Sequence, residues 1–539
     1  FPAEPGNTGV FSRNERKELM ALGLPLSETA EEAAAEELYL GYTAMTCASE
    51  RLFVSWPGAE LTGQSRTPSV LVRELREIFP ELLVQTETEL GVLYFACTKE
   101  AAFAETARGY RSAGAEEIAL KTLFLQDRDY VGCMEALERA HARAPYRFAQ
   151  PASARQLFAA HRSVSATQIE TYQLCPFQYF CRYGLRLKEQ LPAEMDQLEY
   201  GSLIHELLQR VLQEHSAEQV AQMTPERLWE LVWELTQAYL ERRLGGGEEK
   251  RARFWFALRR IAETACAVIL HVAKGLVQSS FVPVGYELTL GEGGDLPPLC
   301  VELPDGTTVL VEGKIDRMDV MEHNGKRYVR VVDYKTGSKD FDSAFALGNV
   351  RNGMKMQMFV YLAAVAQDAQ LEPAGVLYVP AFEPVVSAER GTAAEKVAHK
   401  RNQALRMNGM ILDDTVVITG MEPDGQGVYL RVKLKDGVPD SASRSMLLSR
   451  QELQLVLQEV KRRIADMAQN LHAGLVEAEP LKGDYDGCEY CPYFAVCRHE
   501  ETDGGKERFC RDKAQVLEEW KQEGGVQDAK MDKGTTGCD

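Results

Sequence analysis

The segment that most restricts the fold is Val309-Leu-Val-Glu-Gly-Lys-Ile-Asp-Arg-Met-Asp-Val-Met321. A short connection joins it to Tyr328-Val-Arg-Val-Val-Asp-Tyr-Lys-Thr-Gly337. Two β-branched runs flank Asn324-Gly325, the strongest short-range signal for a two-residue hairpin turn. With Asn324 and Gly325 at the centre of the turn, His323 pairs with Lys326, and the same register sets Asp316 directly across from Asp333. Opposed side chains on one face lie about 4.5–5.5 Å apart at Cβ, where like charges repel. Two carboxylates so placed want a cation between them. Lys335 stands two residues beyond Asp333 and projects from the same face. Two acidic oxygen donors and a lysine suit Mg²⁺ or Mn²⁺, hard ions that keep several waters. Such a metal polarises a phosphoryl oxygen and acidifies a bound water, which the lysine orients or helps to deprotonate. The competing reading is a charged surface hairpin, and a bulge in either strand would break the register.

A second constellation lies far downstream. Cys488-Glu-Tyr-Cys491-Pro-Tyr-Phe-Ala-Val-Cys497 is a C-x2-C-x5-C trio. Thiolates at this spacing take Zn²⁺ or an iron–sulfur cluster, and either normally needs four protein ligands. Cys175, in a Cys-Pro-aromatic segment, is the expected fourth ligand, with Cys181 and Cys510 as rivals. Spacing alone does not separate zinc from iron. Twelve cysteines scattered over 539 residues do not make a disulfide scaffold.

A content of 45% hydrophobic and 26% charged residues excludes disorder as the main description. The balance of 61 basic against 80 acidic residues, a net charge of −19, excludes a uniformly basic nucleic-acid coat. It leaves room for a local basic groove. The length suggests about three or four domains. Residues 1–160 read as α/β material, with a helix at 28–40, the strand Arg51-Leu-Phe-Val-Ser-Trp56 and a helix at 70–78. Residues 161–500 read as a second region. Helices at 198–212 and 225–244 and a loop at Gly245-Gly-Gly247 lead into a β-rich block at 282–336. A helix at 354–366, a strand at 375–379 and a long helix at 450–471 follow. Residues 501–539 read as a solvated tail. No apolar run approaches the ~18–20 residues that cross a bilayer, and no signal peptide leads the chain. The expectation is a cytoplasmic protein without a membrane partner. It opens Phe1-Pro rather than with Met, as a piece of a longer polypeptide would. Lys250-Arg-Ala-Arg-Phe-Trp-Phe-Ala-Leu-Arg-Arg260 mixes cations with aromatics. It suits either phosphate tracking and base stacking or an amphipathic helix with a solvated face. Lys461-Arg-Arg463 is a weaker candidate for DNA contact.

Gly313-Lys-Ile-Asp316 followed by Asp333-Tyr-Lys335-Thr-Gly resembles the core of the PD-(D/E)xK nucleases, in their RecB-like exonuclease branch. That branch carries G-x-x-x-H on a preceding helix and Q-x-x-x-Y on a following one. Gly201-Ser-Leu-Ile-His205 and Gln357-Met-Phe-Val-Tyr361 match them. The resemblance implies that His205, Asp316 and Asp333 hold metal, and that Lys335, Gln357 and Tyr361 complete the catalytic set. The bland alternatives are a histidine flanking an apolar helix stripe and a tyrosine that only packs. Ser165-Ala-Thr-Gln-Ile-Glu-Thr-Tyr172-x-x-Cys175-Pro-Phe, paired with the distant cysteine trio, resembles the [4Fe–4S] staple of AddB-type nuclease domains. It implies that Cys175, Cys488, Cys491 and Cys497 clamp the two ends of the domain, with zinc as the alternative.

Tyr39-Leu-Gly-Tyr-Thr-Ala-Met-Thr-Cys47 resembles the last motif of superfamily 1 helicases, with Cys47 at the arginine position. No G-x-x-x-x-G-K-[ST] occurs in the chain. The family resemblance thus implies an α/β architecture: a helicase-like α/β region without ATP-hydrolysing chemistry, then a PD-(D/E)xK nuclease domain with a mixed sheet flanked by helices. It implies a metal-dependent exonuclease acting on a single DNA strand within a helicase–nuclease that resects double-strand breaks. The implied partner is an AddA-type helicase–nuclease subunit in a heterodimer. The alternatives are a stand-alone iron–sulfur exonuclease of the CRISPR-associated type and a non-catalytic DNA-binding scaffold with a zinc site.

Overall fold

The computed structural model describes residues 11–24, 26, 30–59, 64–86, 90–141, 146–159, 163–188, 197–244, 252–337, 345–382, 384, 386–389, 392–497, 499, 506–508 and 512–531. Two compact units divide the chain, Phe1–Arg143 and Ala144–Asp539.

The first unit is helical. Its described residues form Arg13–Ala21, Ala30–Thr46, Val70–Ile78, Val92–Phe95, Lys99–Arg108, Ala115–Gln126 and Val131–His141. Its small core centres on Phe124 and Met134, with Phe103 and Tyr130 packed against them. The expected strand at 51–56 does not form. Its alternating apolar side chains find no neighbouring strand, and Phe53 is 89% exposed. Alternation makes a strand only where a second strand supplies the ladder. The sole β pairing among the described residues of this unit is an isolated bridge between Ala59 and Ser65.

The second unit is built on an eight-stranded mixed sheet. Its strands are β1 (Ser163–Ser165), β2 (Val282–Leu290), β3 (Leu299–Glu302), β4 (Thr308–His323), β5 (Lys326–Lys335), β6 (Leu371–Pro380), β7 (Asn408–Leu412) and the short Leu447–Leu448. The order is β1-β4-β5-β6-β7-(Leu447–Leu448), and β2 and β3 also pair with β4. β1 with β4 and β5 with β6 are parallel, whereas β4 runs antiparallel to β2, β3 and β5. The turn between β4 and β5 is the expected one: Asn324 and Gly325 take φ of 50° and 74°, as a two-residue type I′ turn requires. Pairing runs without a bulge from His323 with Lys326 to Arg317 with Val332. Asp316 and Asp333 are the next positions along both strands.

β5 is buried from Tyr328 through Tyr334, the mark of a strand covered on both faces. The helix Gln357–Val365 lies on β5 and β6 and packs in turn on Arg450–His472. The helix Ala252–Gln278 packs with Gln197–Glu214, Ala217–Gln222 and Pro225–Leu244. By length and composition it could span a bilayer, with a mean hydropathy of 1.3 over its most apolar stretch. The stretch is not an unbroken apolar run, because Glu263, His271 and Lys274 interrupt it. Leu258, Ile261, Val268, Ile269 and Leu276 on this helix are buried within the protein, as in a core helix. Its basic–aromatic start is amphipathic: Trp255 packs against the core, Phe256 is exposed, and Arg259 pairs with Glu263. Lys250, Arg251 and the 245–247 loop lie outside the described residues.

Two expected boundaries move. The helix Pro151–Ala159 packs on Arg450–His472, so the units divide at Arg143 rather than at 160. Lys513–Met531, expected in a solvated tail, is a helix that buries Val516, Leu517 and Trp520. Arg351 and Arg462 each pair with its Glu523.

Beneath β4 and β5 lies a buried charge triad. Asp319 accepts from the Arg317 Nε–H at 2.8 Å and from the Arg330 Nε–H at 2.8 Å, and Arg317 also donates to the Tyr334 hydroxyl at 2.7 Å. All three charged side chains are at most 1% exposed. Asp319→Ala would leave two guanidinium groups buried without their anion. Its expected cost is about 3–5 kcal/mol, measured as a lower denaturant midpoint. A variant as stable as the wild type would contradict this.

Candidate active site and cysteine cluster

Three strands bring carboxylates into a row. β2 pairs with β4 through Tyr286–Arg317 and Leu288–Ile315, so Glu287 faces Asp316, and Asp333 faces it from β5. Glu287 has φ of +53°. A non-glycine residue held there inside a strand costs about 1–3 kcal/mol, and such strain gathers at functional sites.

His205 reaches this row from the helix Gln197–Glu214. Its Nε2 lies 2.6 Å from the Tyr334 carbonyl oxygen, which can only accept, so Nε2 carries the proton. Nδ1 then faces the acids, 3.3 Å from Asp316 Oδ2 and 3.9 Å from Glu287 Oε1. One ligand atom from each of His205, Glu287 and Asp316 lies within 4.8 Å of the others. Burial disfavours the imidazolium, but the hydrogen bond and charge of Asp316, with Asp333 behind, push its pKa up to about 9. Positive charge is strongly preferred at this point.

Asp333 is buried. Burial and then the charge of Asp316 raise its carboxyl to about 6, against the pull of Lys335. Lys335 Nζ stands 2.9 Å from Asp333 Oδ2 and 4.7 Å from the centre of the Tyr378 ring. Asp316 Oδ2 accepts from the Tyr334 N–H at 2.8 Å. His205, Asp316, Asp333 and Lys335 therefore lie near one another, but the set whose ligand atoms fall within 4.8 Å is His205, Glu287 and Asp316, and Asp333 stands outside it. Gln357 and Tyr361 serve the neighbouring backbone. Gln357 donates to the Tyr361 hydroxyl at 3.2 Å, and that oxygen accepts from the Lys314 N–H at 3.4 Å. A Cβ on Gly313 would stand 2.6 Å from the Tyr361 ring, so only glycine lets the ring lie against β4 there.

Sequence reasoning missed Glu287, whose Oε2 also pairs with Lys314. An acid alone in the apolar run 282–290 was its one signal, and pairing with β4 gives that acid its meaning.

The cysteines form a separate cluster within the unit. Cys175, Cys181 and Cys497 are buried together with Phe177, and Tyr146 and Tyr493 pack against them. Cys488 and Cys491 are half-buried. Burial pushes the Cys175 thiol up to about 11, and Cys491 and Cys488 add to the shift. Burial does the same to Cys181, with Cys491 and Cys497 adding. The rival Cys181 thus shares the site with the four expected ligands, and Cys510 lies outside the described residues. Protein hydrogen bonds join the same two segments: Phe177 N–H donates to Glu477 O, and the Tyr493 hydroxyl to Leu187 O at 3.0 Å.

The family model for the PD-(D/E)XK nuclease superfamily matches residues 163–498, a span that contains every residue of both sites. The chain belongs to that superfamily. Over nearly its full length it is also similar to the AddB-type subunit of the ATP-dependent helicase/deoxyribonuclease of Clostridium acetobutylicum. The two are 25% identical over 545 residues, 97% of this chain and 47% of the relative. The protein of the same name from Caldanaerobacter subterraneus subsp. tengcongensis is 27% identical over 561 residues, 99% of this chain and 48% of the relative. The chain spans about half the length of these curated relatives. The AddB-type resemblance read from the motifs is borne out.

Proposed function

We propose that this chain is the nuclease-bearing portion of the AddB-type subunit of an ATP-dependent helicase–deoxyribonuclease, hydrolysing phosphodiester bonds in a single DNA strand delivered to it. The row Glu287–Asp316–Asp333 under the His205 ring carries the reading. Such a set of hard oxygen donors plus one imidazole fits Mg²⁺ or Mn²⁺. A divalent ion held there supplies charge to the scissile phosphate and acidifies a water. The protein's own part is to aim His205 Nδ1 through the Tyr334 carbonyl and to fix Asp316 through the Tyr334 N–H. Lys335 places a positive charge and proton donors beside the reacting phosphate.

Cys175, Cys488, Cys491 and Cys497 would hold a [4Fe–4S] cluster with a structural role. The donor set, with Cys175 and Cys497 buried and Cys488 and Cys491 half-buried, fits either zinc or iron–sulfur, and the family resemblance carries the choice of iron–sulfur. Neither the stand-alone exonuclease nor the non-catalytic scaffold finds a supporting observation. The proposed setting is the cytoplasm, and the proposed partner an AddA-type motor subunit.

The test is cleavage of end-labelled single-stranded DNA by the purified chain with Mg²⁺, with Mn²⁺ and after chelation. Cutting that survives chelation, or no cutting with either ion, would refute the reading.

For the first unit we propose a helicase-like remnant without ATPase chemistry. Phosphoryl transfer needs a phosphate-cradling loop and usually an arginine on the developing charge, and Cys47 supplies no such charge. Steady-state ATP hydrolysis, with and without single-stranded DNA, should stay at background for wild type and for Cys47→Arg. Robust turnover by either would mean a working motor.

A further inference from the structure

A groove of about 1130 Å³ opens between the cysteine segment and the start of β4. The chain as a whole carries −19, yet among the described residues the charged lining of this groove is Arg182, Arg186 and Lys188 against the carboxylate of Glu312. Tyr183, Tyr490 and Tyr493 line it as well. Tyr490 is 82% exposed, and the Arg182 guanidinium lies 5.6 Å from the centre of the Tyr183 ring. The Gln178 Oε1 atom is buried in the wall with no hydrogen-bond partner among the described residues, an acceptor left open for an incoming N–H. Gly313, on the same strand as Asp316, lines the groove as well.

We propose that this groove is the track that holds the single strand on its way to the carboxylates. Arg182, Arg186 and Lys188 contact successive phosphates, and Tyr183, Tyr490 and Tyr493 offer ring faces to the bases. Cations that follow a backbone beside aromatic platforms are how single strands are bound without regard to sequence. Tyr490 sits between Cys488 and Cys491, so the cysteine staple also positions one wall of the track. The proposal rests on the nuclease reading, whose site the groove feeds.

The experiment uses the full chain, purified without oxygen, and a fluorescent oligothymidylate of about 12 nucleotides, within the ~4–16 that such sites span. Anisotropy is read in EDTA at several salt concentrations. The triple variant Arg182→Gln, Arg186→Asn and Lys188→Gln removes three positive charges from the lining. Asparagine is chosen at 186 because φ there is +55°, which asparagine tolerates. Three lost phosphate contacts should flatten the salt slope by about 2 and weaken binding at least about tenfold. Tyr490→Ala should weaken binding about tenfold by loss of stacking while its salt slope and visible absorbance stay unchanged. Hydrolysis of the p-nitrophenyl ester of thymidine 5′-monophosphate, too short to occupy the track, should be unaffected in every variant. Wild-type affinity and salt slope in the triple variant would overturn the proposal. A wild type that binds the oligonucleotide through these residues but cleaves neither substrate would support the track and refute the nuclease reading.

Discussion

Asp333→Ala is expected to abolish divalent-metal-dependent cleavage of single-stranded DNA and leave the fold intact. A catalytic ion supplies several kcal/mol of transition-state stabilisation, so a loss of about a thousandfold or more should be seen. Stability should hold or rise slightly. In the metal-free protein Asp333 is a buried carboxylate facing Asp316, and its carboxyl is raised to about 6 from an ordinary 3.8. A group whose folded pKa exceeds its unfolded value costs stability above the unfolded value. The wild type should therefore lose stability as pH rises from about 4 through about 6, and the variant should lack that loss. Lys335, a third exposed, can turn to solvent when its partner is removed. Denaturant titrations at pH 4.5 and 7.5 read this directly. Undiminished cleavage by the variant would remove Asp333 from the active site.

Cys491→Ala should give the opposite pattern: a large structural change from a residue outside the carboxylate set. Three remaining thiolates cannot close a four-ligand cluster. Closing a loop that runs through more than half of the chain restrains the unfolded state strongly, by about 6 kcal/mol in the chain-entropy model. The expected results are loss of brown colour, faster proteolysis and weaker binding of single-stranded DNA. Colourless wild-type protein with stoichiometric zinc would refute the cluster and keep the staple. A coloured, protease-resistant variant would refute Cys491 as a ligand, and Cys181, buried beside it, would become the leading replacement.

The carboxylate hairpin was legible because its cues are local. Asn324-Gly325 fixes the turn, the turn fixes the register, and the register puts Asp316 opposite Asp333. His205 and Lys335 follow from helix and strand spacing once the hairpin is in place. Glu287 was not legible, because its role depends on which distant strand lies beside β4, and no local pattern encodes that choice. The same gap produced a false strand at 51–56, where alternation is present but no partner arrives. Lys513–Met531 misled for a related reason. Its charged, glycine-containing sequence reads as solvated, yet Val516, Leu517 and Trp520 fall on a face that the core accepts. The helix Ala252–Gln278 shows the converse. Its apolar residues meet the test for a bilayer span, but neighbouring helices bury them.

The claim that most needs testing is that Glu287, Asp316, Asp333 and His205 form one divalent-metal centre. Mn²⁺ binding to the full chain, followed by electron paramagnetic resonance of the free ion, tests it without depending on activity. Wild type should bind Mn²⁺ at this centre, Mg²⁺ should compete for it, and Asp333→Ala should lose it. Equal Mn²⁺ binding by wild type and by Asp333→Ala would contradict the assignment.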